Sequence, residues 1–145
     1  MKFYDKNSYG ESIMSKTLEY SVSTNSRTEM VRIDHLIEKA LEESGIKDGI
    51  CCVFVPHTTA GVTINEGADP SVVSDILKEL NKVIPFSDNY AHAEGNSAAH
   101  IKSSLIGCSL SLIIESGKPK LGIWQSVFFC EFDGPRRRKV WIKII

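Results

Sequence analysis

One run of apolar residues restricts the fold of this chain more than any other feature. Residues 50–55 (Ile-Cys-Cys-Val-Phe-Val) contain no charged or hydroxyl-bearing side chain, follow an Asp-Gly turn and end at Pro56. A strand with one solvated face alternates polar and apolar residues, whereas a fully covered strand reads as a continuous apolar run. We therefore expect residues 50–55 to form a central strand that is buried on both faces.

The remaining elements are predicted from apolar periodicity and helix-end signals. Helices are expected over residues 34–44, 70–84 and 96–106, with Asp34 capping the first and Asp69-Pro70 opening the second. Further strands are expected at residues 17–23, 30–33, 60–64, 110–114, 122–132 and 140–145. Because strands outnumber helices and do not alternate strictly with them, the pattern predicts an α+β domain with a mainly antiparallel sheet.

Composition limits the class of protein. The chain has 145 residues, of which 42% are hydrophobic, and a net charge of -1, which is typical of one globular domain and too apolar for disorder. The near-zero charge argues against a main role in coating nucleic acid or an anionic membrane. No window approaches the roughly 18 apolar residues of a membrane span. Residues 1–15 are polar and aperiodic, so we expect a flexible N-terminal extension before a single domain at residues 16–145.

The four cysteines have neither a CxxC pair nor the spacing of a zinc finger. We interpret all of them as buried, reduced thiols. The first residues also lack the apolar core of a secretory signal, and together these features predict a cytoplasmic protein.

The loop after the predicted central strand carries His57, Thr58 and Thr59. Polar side chains at the end of a buried strand suit a functional site better than a core, although a single histidine such as His57 is more often a structural, hydrogen-bonded residue. Glu66 follows the next predicted strand and has no helix to cap. It is therefore the best candidate for a general acid or base.

Three of the four histidines lie in or beside loops. His92 precedes the third predicted helix, His100 lies about one turn into it, and Gly95 allows a sharp bend between them. Three imidazoles with an open position are typical of catalytic zinc. Two interpretations stay open here. His57, His92 and His100 could form a divalent-metal site suited to zinc, or they could be ordinary hydrogen-bonded histidines near a turn. His35, inside the first helix, is expected at the surface.

Four consecutive cations, residues 136–139, follow a Gly-Pro turn. Guanidinium groups donate paired hydrogen bonds to phosphate oxygens, so Arg136 is a candidate phosphate ligand, and RNA is a weaker alternative partner for this segment. Side chains alternate along a strand, so at most two of the four can contact one ligand. A solvated basic hairpin paired with Glu131 or Asp133 is an equally open interpretation. The backbone amides that follow Asn96 form another candidate anion site.

Three segments, in this order, resemble the signatures of the YjbQ family. The first is His-Thr-Thr-Ala-Gly-Val-Thr-Ile-Asn-Glu at residues 57–66, followed by Ala-Asp-Pro at 68–70. The second is Glu-Gly-Asn-Ser-Ala-Ala-His-Ile-Lys-Ser-Ser-Leu at residues 94–105. The third is Gly-Ile-Trp-Gln at residues 122–125 with Phe-Phe-Cys-Glu-Phe-Asp-Gly-Pro-Arg at 128–136, and Ser126 stands where the family motif has a glycine. The match extends from about Lys16 to the C-terminus.

The resemblance implies a compact α+β fold with a β-sandwich-like core, assembled as a homotrimer. It also implies a thiamine-phosphate synthase-type activity, secondary to a different physiological role, that joins a hydroxymethylpyrimidine diphosphate to a thiazole phosphate and releases pyrophosphate. Glu66 and His57 are the expected catalytic residues, and the family's histidines fall on His57, His92 and His100 as expected metal ligands. The residues expected to bind the substrate or its phosphates are Thr58, Thr59, Asn65, Asn96, Ser97, Gln125, Glu131 and Arg136.

Two functions of different classes follow from the sequence. One is a metal-assisted transferase that acts on phosphorylated heterocycles, with cations stabilising the leaving diphosphate. The alternative is a non-catalytic trimer that binds a metal or a small anion, since the chain has no nucleophile elbow and no glycine-rich phosphate loop. In both cases the expected partners are a small phosphorylated molecule and further copies of the chain, with no membrane and with RNA only as the weaker alternative.

Overall fold

The computed structural model describes residues 16–145, which form two antiparallel sheets and three helices. The predicted extension, residues 1–15, lies outside the described residues. The five-stranded sheet has the order β1-β8-β3-β5-β6 and the three-stranded sheet the order β2-β7-β4. The predicted α+β fold with a mainly antiparallel core and three helices is confirmed. The elements are β1 (Leu18–Ser23), β2 (Glu29–Arg32), α1 (Asp34–Ser44), β3 (Gly49–Phe54), β4 (Ala60–Glu66), α2 (Pro70–Val83), α3 (Ser97–Ile106), β5 (Ser109–Glu115), β6 (Lys118–Pro119), β7 (Gln125–Glu131) and β8 (Arg137–Ile144).

The expected central strand is β3, third of the five strands in its sheet, but it is buried on one face only. Val53 is fully buried, whereas Ile50 and Phe54 on the opposite face are 49% and 37% exposed. The outward residues of the neighbouring strands, Ile113 and Trp141, are exposed as well. No other described element covers this face, so the expectation of burial on both faces is wrong. The run at residues 50–55 is continuous because the solvent-exposed face of β3 also carries apolar residues.

The strand that is buried on both faces is β7. Val127 and Phe129 point into the main core, to which both sheets and α1 contribute. Phe128, which points the other way, packs with Ala99 of α3 in a second, smaller core that α2 also contacts. Because two apolar layers hold β7, its last residue, Glu131, occupies a fixed position at the edge of the core.

The helix ends match the predictions in part. Asp69 caps α2 as expected, since its Oδ1 accepts a hydrogen bond at 2.9 Å from the backbone N–H two residues ahead. Asp34 does not cap α1, because Ile33 occupies the capping position. The Asp34 carboxylate instead accepts a hydrogen bond from the N–H of Val127 at 3.0 Å and pairs with Arg32. It thereby ties α1 to β7.

The cysteines divide into two classes. Cys51 and Cys130 are buried, and burial raises the pKa of each thiol to about 12. Cys52 and Cys108 are exposed, which corrects the expectation that all four are buried. All four thiols are free. Among residues 16–145, no helix is long and apolar enough to cross a membrane.

Candidate functional site

Two of the predicted polar loops meet at one end of the three-stranded sheet. Residues 55–59 lead from β3 into β4, and residues 132–136 lead from β7 into β8. The two loops are joined directly, because the N–H of Phe132 donates to the carbonyl of Thr59 at 3.1 Å. Burial alternates strictly along β8, and this alternation places Arg138 in the interior. The end of the sheet therefore collects polar side chains from both loops and charged side chains from the hairpin and from the adjoining ends of β7 and β8.

Glu131 lies at the centre of this end and is fully buried. Its Oε1 accepts hydrogen bonds from the backbone N–H groups of Phe132 and Asp133, both at 3.0 Å. Arg138 donates to both carboxylate oxygens, through Nη2 at 2.5 Å and Nε at 2.8 Å. The hydroxyl of Thr24 donates to Oε2 at 3.0 Å. Five donors thus converge on one carboxylate.

These donors decide the charge of Glu131. Burial raises the pKa of this carboxyl, but the hydrogen bonds from Arg138, Asp133 and Thr24 outweigh burial and leave the pKa below its ordinary value. The carboxylate is therefore ionised at neutral pH, and its oxygens are occupied by protein donors. Within one chain, Glu131 positions Arg138 and the hairpin rather than presenting a free oxygen to a ligand.

His57 lies beside this ion pair. Its Nε2 accepts the backbone N–H of Lys139 at 2.9 Å, so the proton of the neutral ring is on Nδ1. Burial lowers the pKa of His57, and the Arg138 guanidinium lowers it further. Thr59 is buried and accepts from Arg138 Nη2 at 2.8 Å, while Thr58 is exposed. The neutral imidazole can donate from Nδ1, but it can accept a proton at Nε2 only after the bond to Lys139 breaks.

A second polar cluster joins the hairpin to α3. Asp133 Oδ2 accepts hydrogen bonds from Nδ2 of Asn96 and from Nη2 of Arg136, both at 3.0 Å. The Oδ1 atom of Asn96 is buried and has no partner within the described part of the chain. A buried carbonyl oxygen without a donor costs about 1–3 kcal/mol. A ligand or water molecule that presents an N–H or O–H group would satisfy it.

A cavity of about 410 Å³ opens at the first turn of α3. It is lined by Tyr90, His92, Ser97, His100 and Ile101. The rings of His92 and His100 meet edge to face with their centroids 5.5 Å apart. The first backbone N–H groups of a helix have no intrahelical acceptor, and the helix dipole favours an anion there. Aromatic side chains therefore lie beside a helix end whose first N–H groups can donate to an anion.

The three predicted metal ligands do not converge within one chain. His92 and His100 share the cavity, but His57 is not among its lining residues and its Nε2 is bonded to the backbone of β8. Across residues 16–145, no three His, Cys, Asp or Glu side chains are arranged to hold a metal ion. The residues of a single chain therefore do not fit the expected three-histidine centre.

Asn65, Glu66 and Gln125 lie at the opposite end of the sheet. In the register of β4 with β7, Ala60 pairs with Glu131 at one end and Glu66 pairs with Gln125 at the other. A strand rises about 3.3 Å per residue, so the two ends are roughly 20 Å apart. Within one chain, the predicted general acid or base therefore does not reach the cluster around Glu131.

Arg138 and Asp133 are central to the site but are absent from the set of residues predicted to act there. The sequence contains a signal for Arg138, because it shares the buried face of β8 with Val140 and Ile142. An arginine in line with core residues needs a buried anion, and Glu131 is that anion. The corresponding signal for Asp133 is absent, since its role depends on the turn geometry.

Lys102 is a third residue without a role predicted from the sequence. It is fully buried in α3, and its Nζ donates to Oδ1 of Asn81 at 2.6 Å and lies 3.9 Å from the centre of the Phe86 ring. Burial, assisted by the charge of Arg27, lowers the pKa of Lys102 to about 8. A lysine three residues after the buried Ala99 lies on the apolar stripe of the helix, and this spacing is the signal that could have identified it.

The fold and the site together define a class: two-sheet α+β domains whose polar motifs lie at the ends of one strand pair. A family model described as "UPF0047 protein YjbQ-like" matches residues 18–145. The chain therefore belongs to the YjbQ/UPF0047 family, as the three sequence motifs predicted.

Similar proteins occur in archaea and bacteria. A UPF0047 protein from Methanocaldococcus jannaschii is 56% identical over 133 residues, which cover 92% of this chain and 96% of that protein. The UPF0047 protein YugU of Bacillus subtilis is 47% identical, with coverage of 91% and 99%. The crystal structure of an uncharacterized conserved YjbQ/UPF0047 protein from Clostridium acetobutylicum has a TM-score of 0.87 at 57% identity, with coverage of 88% and 99%. These similarities support the family and the fold.

Proposed function

We propose that this protein is a transferase of phosphorylated heterocycles with thiamine-phosphate synthase-type activity. The observation that carries the proposal is the aromatic-walled cavity at the first turn of α3, next to the cluster of Asn96, Asp133 and Arg136. A planar heterocycle suits the aromatic walls. Its phosphates suit the helix terminus and the guanidinium.

The reaction joins a hydroxymethylpyrimidine diphosphate to a thiazole phosphate. The thiazole nitrogen forms a bond to the methylene carbon of the pyrimidine, the bond from that carbon to the diphosphate oxygen breaks, and pyrophosphate leaves with the electron pair. Arg136 and the backbone amides of Ser97 and Ala98 would stabilise the charge on the leaving group. An amine on the heterocycle would satisfy Oδ1 of Asn96. The proposed steps rest on the chain's own donors, because one chain brings only two histidines together.

We also propose the homotrimer implied by the family resemblance. Two apolar side chains beside Gln125 support self-association, since Ile123 is 89% exposed and Trp124 is 63% exposed. Sedimentation velocity should give the mass of a trimer, and the variant Trp124→Ser should shift the population to smaller species. A monomer at all concentrations would contradict this assembly.

A second candidate is binding of a small phosphorylated molecule without turnover. It is favoured by the hydrogen bonds of His57 and Glu131, the two groups beside the hairpin that could transfer a proton. His57 Nε2 and both Glu131 oxygens already accept hydrogen bonds from protein donors. The two functions share the same anion site and differ in whether product forms.

The test compares two adjacent arginines of the hairpin. Arg136→Gln should weaken pyrophosphate binding, measured by calorimetry, by roughly tenfold or more, because it removes a charge-assisted donor. Arg137→Gln should bind as the wild type does, since Arg137 faces the solvent on β8. Product formation from the two heterocycles, followed by chromatography, supports the transferase. Stoichiometric binding without product supports the second candidate, and wild-type protein that binds neither pyrophosphate nor the diphosphate substrate would contradict both.

A further inference from the structure

A second and larger cavity, of about 520 Å³, lies between α1 and residues 117–121. It shares no residue with the cavity at α3. Its volume is in the range of small-molecule sites. The apolar part of its lining consists of Ile37, Leu41, Ile46, Pro119 and Leu121, of which the first two belong to the main core. The cavity therefore offers an apolar surface away from the site beside α3, at the end of the strand pair where Gln125 also contributes to its lining.

Charged side chains of both signs border this apolar surface. Lys47 and Lys118 contribute positive charge, and Glu38 and Glu42, one turn apart on α1, contribute negative charge. Arg32 and Asp34 also line the cavity, but they pair with each other. The two lysine and two glutamate side chains form no ion pair or hydrogen bond within residues 16–145. The nearby Lys120, in contrast, pairs with Glu115 at 2.9 Å.

The basic side of the cavity is held by the backbone. The N–H of Gly117 donates to the carbonyl of Lys47 at 2.7 Å. Gly117 has φ 77°, and a Cβ atom at this position would lie 3.1 Å from Cδ of Lys47, so the lysine stem lies directly over the glycine. The N–H of Ser116 also donates to Oδ1 of Asp48 at 3.1 Å. These bonds fix the segment that carries Lys118 against the segment that carries Lys47.

We propose that this cavity binds a zwitterionic amino acid with an apolar side chain. The carboxylate would pair with Lys47 and Lys118, and the ammonium group with Glu38 and Glu42. The apolar side chain would cover the surface formed by the core residues. A ligand with one charge would neutralise only one of the two charged borders, so the chemistry of the cavity selects a molecule that carries both charges.

Calorimetry with four probes tests the proposal. L-leucine and L-phenylalanine should bind, whereas 4-methylpentanoate and 3-methylbutylamine, which each lack one charge of leucine, should bind roughly tenfold or more weakly. Lys118→Met should weaken leucine binding to a similar extent. Lys120→Met is the matched control, because Lys120 lies two residues away outside the cavity and should leave binding unchanged.

Three outcomes would overturn the proposal. They are the absence of binding by both amino acids at millimolar concentration, equal binding of leucine and its single-charge analogues, and equal losses for Lys118→Met and Lys120→Met. Pyrophosphate binding by the same samples is expected to be unchanged in both lysine variants. A failure at this cavity is therefore distinct from a failure at the site beside α3.

Discussion

Replacing Arg138 by methionine should strongly destabilise the fold, because it leaves the fully buried Glu131 without its charge partner. The variant loses both guanidinium bonds to the carboxylate, at 2.5 and 2.8 Å, and the bond to Thr59 at 2.8 Å. Removal of one partner of a buried ion pair costs about 3–5 kcal/mol. The next residue supplies the control. Lys139→Met breaks a pair with Glu19 whose side chains are 56% and 48% exposed, and such exposed pairs contribute far less to stability than a buried pair does.

Urea denaturation followed by far-ultraviolet circular dichroism measures both free energies of unfolding. The pH dependence adds an independent check. In the wild type the folded-state pKa of Glu131 lies below the ordinary value of 4.5, so its stabilisation is complete above that pH and is lost as the pH falls through the folded-state pKa. In Arg138→Met the unpaired carboxyl has a raised pKa, and protonation relieves its penalty. The difference in free energy of unfolding between the wild type and Arg138→Met should therefore shrink as the pH falls. Equal losses for both variants at pH 7, or a difference that grows in acid, would refute the reasoning.

Three further predictions concern the same fold. The pKa of Lys102 is about 8 in the folded protein, against an ordinary value of 10.5, so the unfolded chain binds the proton more tightly. The free energy of unfolding of the wild type, relative to that of Lys102→Met, should therefore rise between pH 8 and pH 10.5. Urea titrations that give the same difference between the two proteins at both pH values would contradict this. In a thiol assay under native conditions, the exposed Cys52 and Cys108 should react fast and the two buried thiols only after unfolding; four fast thiols would count against the burial described here. Asp69→Ala should lower the urea midpoint through loss of the α2 cap, and an unchanged midpoint would contradict it.

The sequence predicts elements better than it predicts which faces are covered. The helix over residues 70–83 could be placed because Asp69-Pro70 is a local signal. The two faces of β3 could not be assigned, since Ile50 and Phe54 are apolar although one face of the sheet is open. Burial of β7 on both faces depends on α2 and α3 packing against it from distant parts of the chain. Such coverage is a tertiary property that local patterns do not encode.

The candidate site was predicted in the same uneven way. Polar residues at strand and helix ends indicate the loops that carry His57, Asn96 and Arg136, and the structure brings the hairpin together with the other two loops. Within one chain Glu66 lies away from this site, because the first motif, although continuous in sequence, extends along β4 from one end of the strand pair to the other. The separation follows from the register of β4 and β7, which only the paired structure provides.

That register limits how the motifs can act. The first motif runs along β4 from the neighbourhood of Arg138 to Glu66, and the third runs back along β7, so each motif supplies residues to both ends of the same strand pair. A reaction that needs Glu66 together with Arg136 therefore requires two copies of the chain. Mixing inactive Glu66→Gln and Arg136→Gln subunits would then restore part of the activity, because some interfaces would combine two intact residues. Activity that is lost in both variants and not restored by mixing would contradict a site shared between subunits, whereas full activity of Glu66→Gln would place the reaction at the Arg136 end of a single chain.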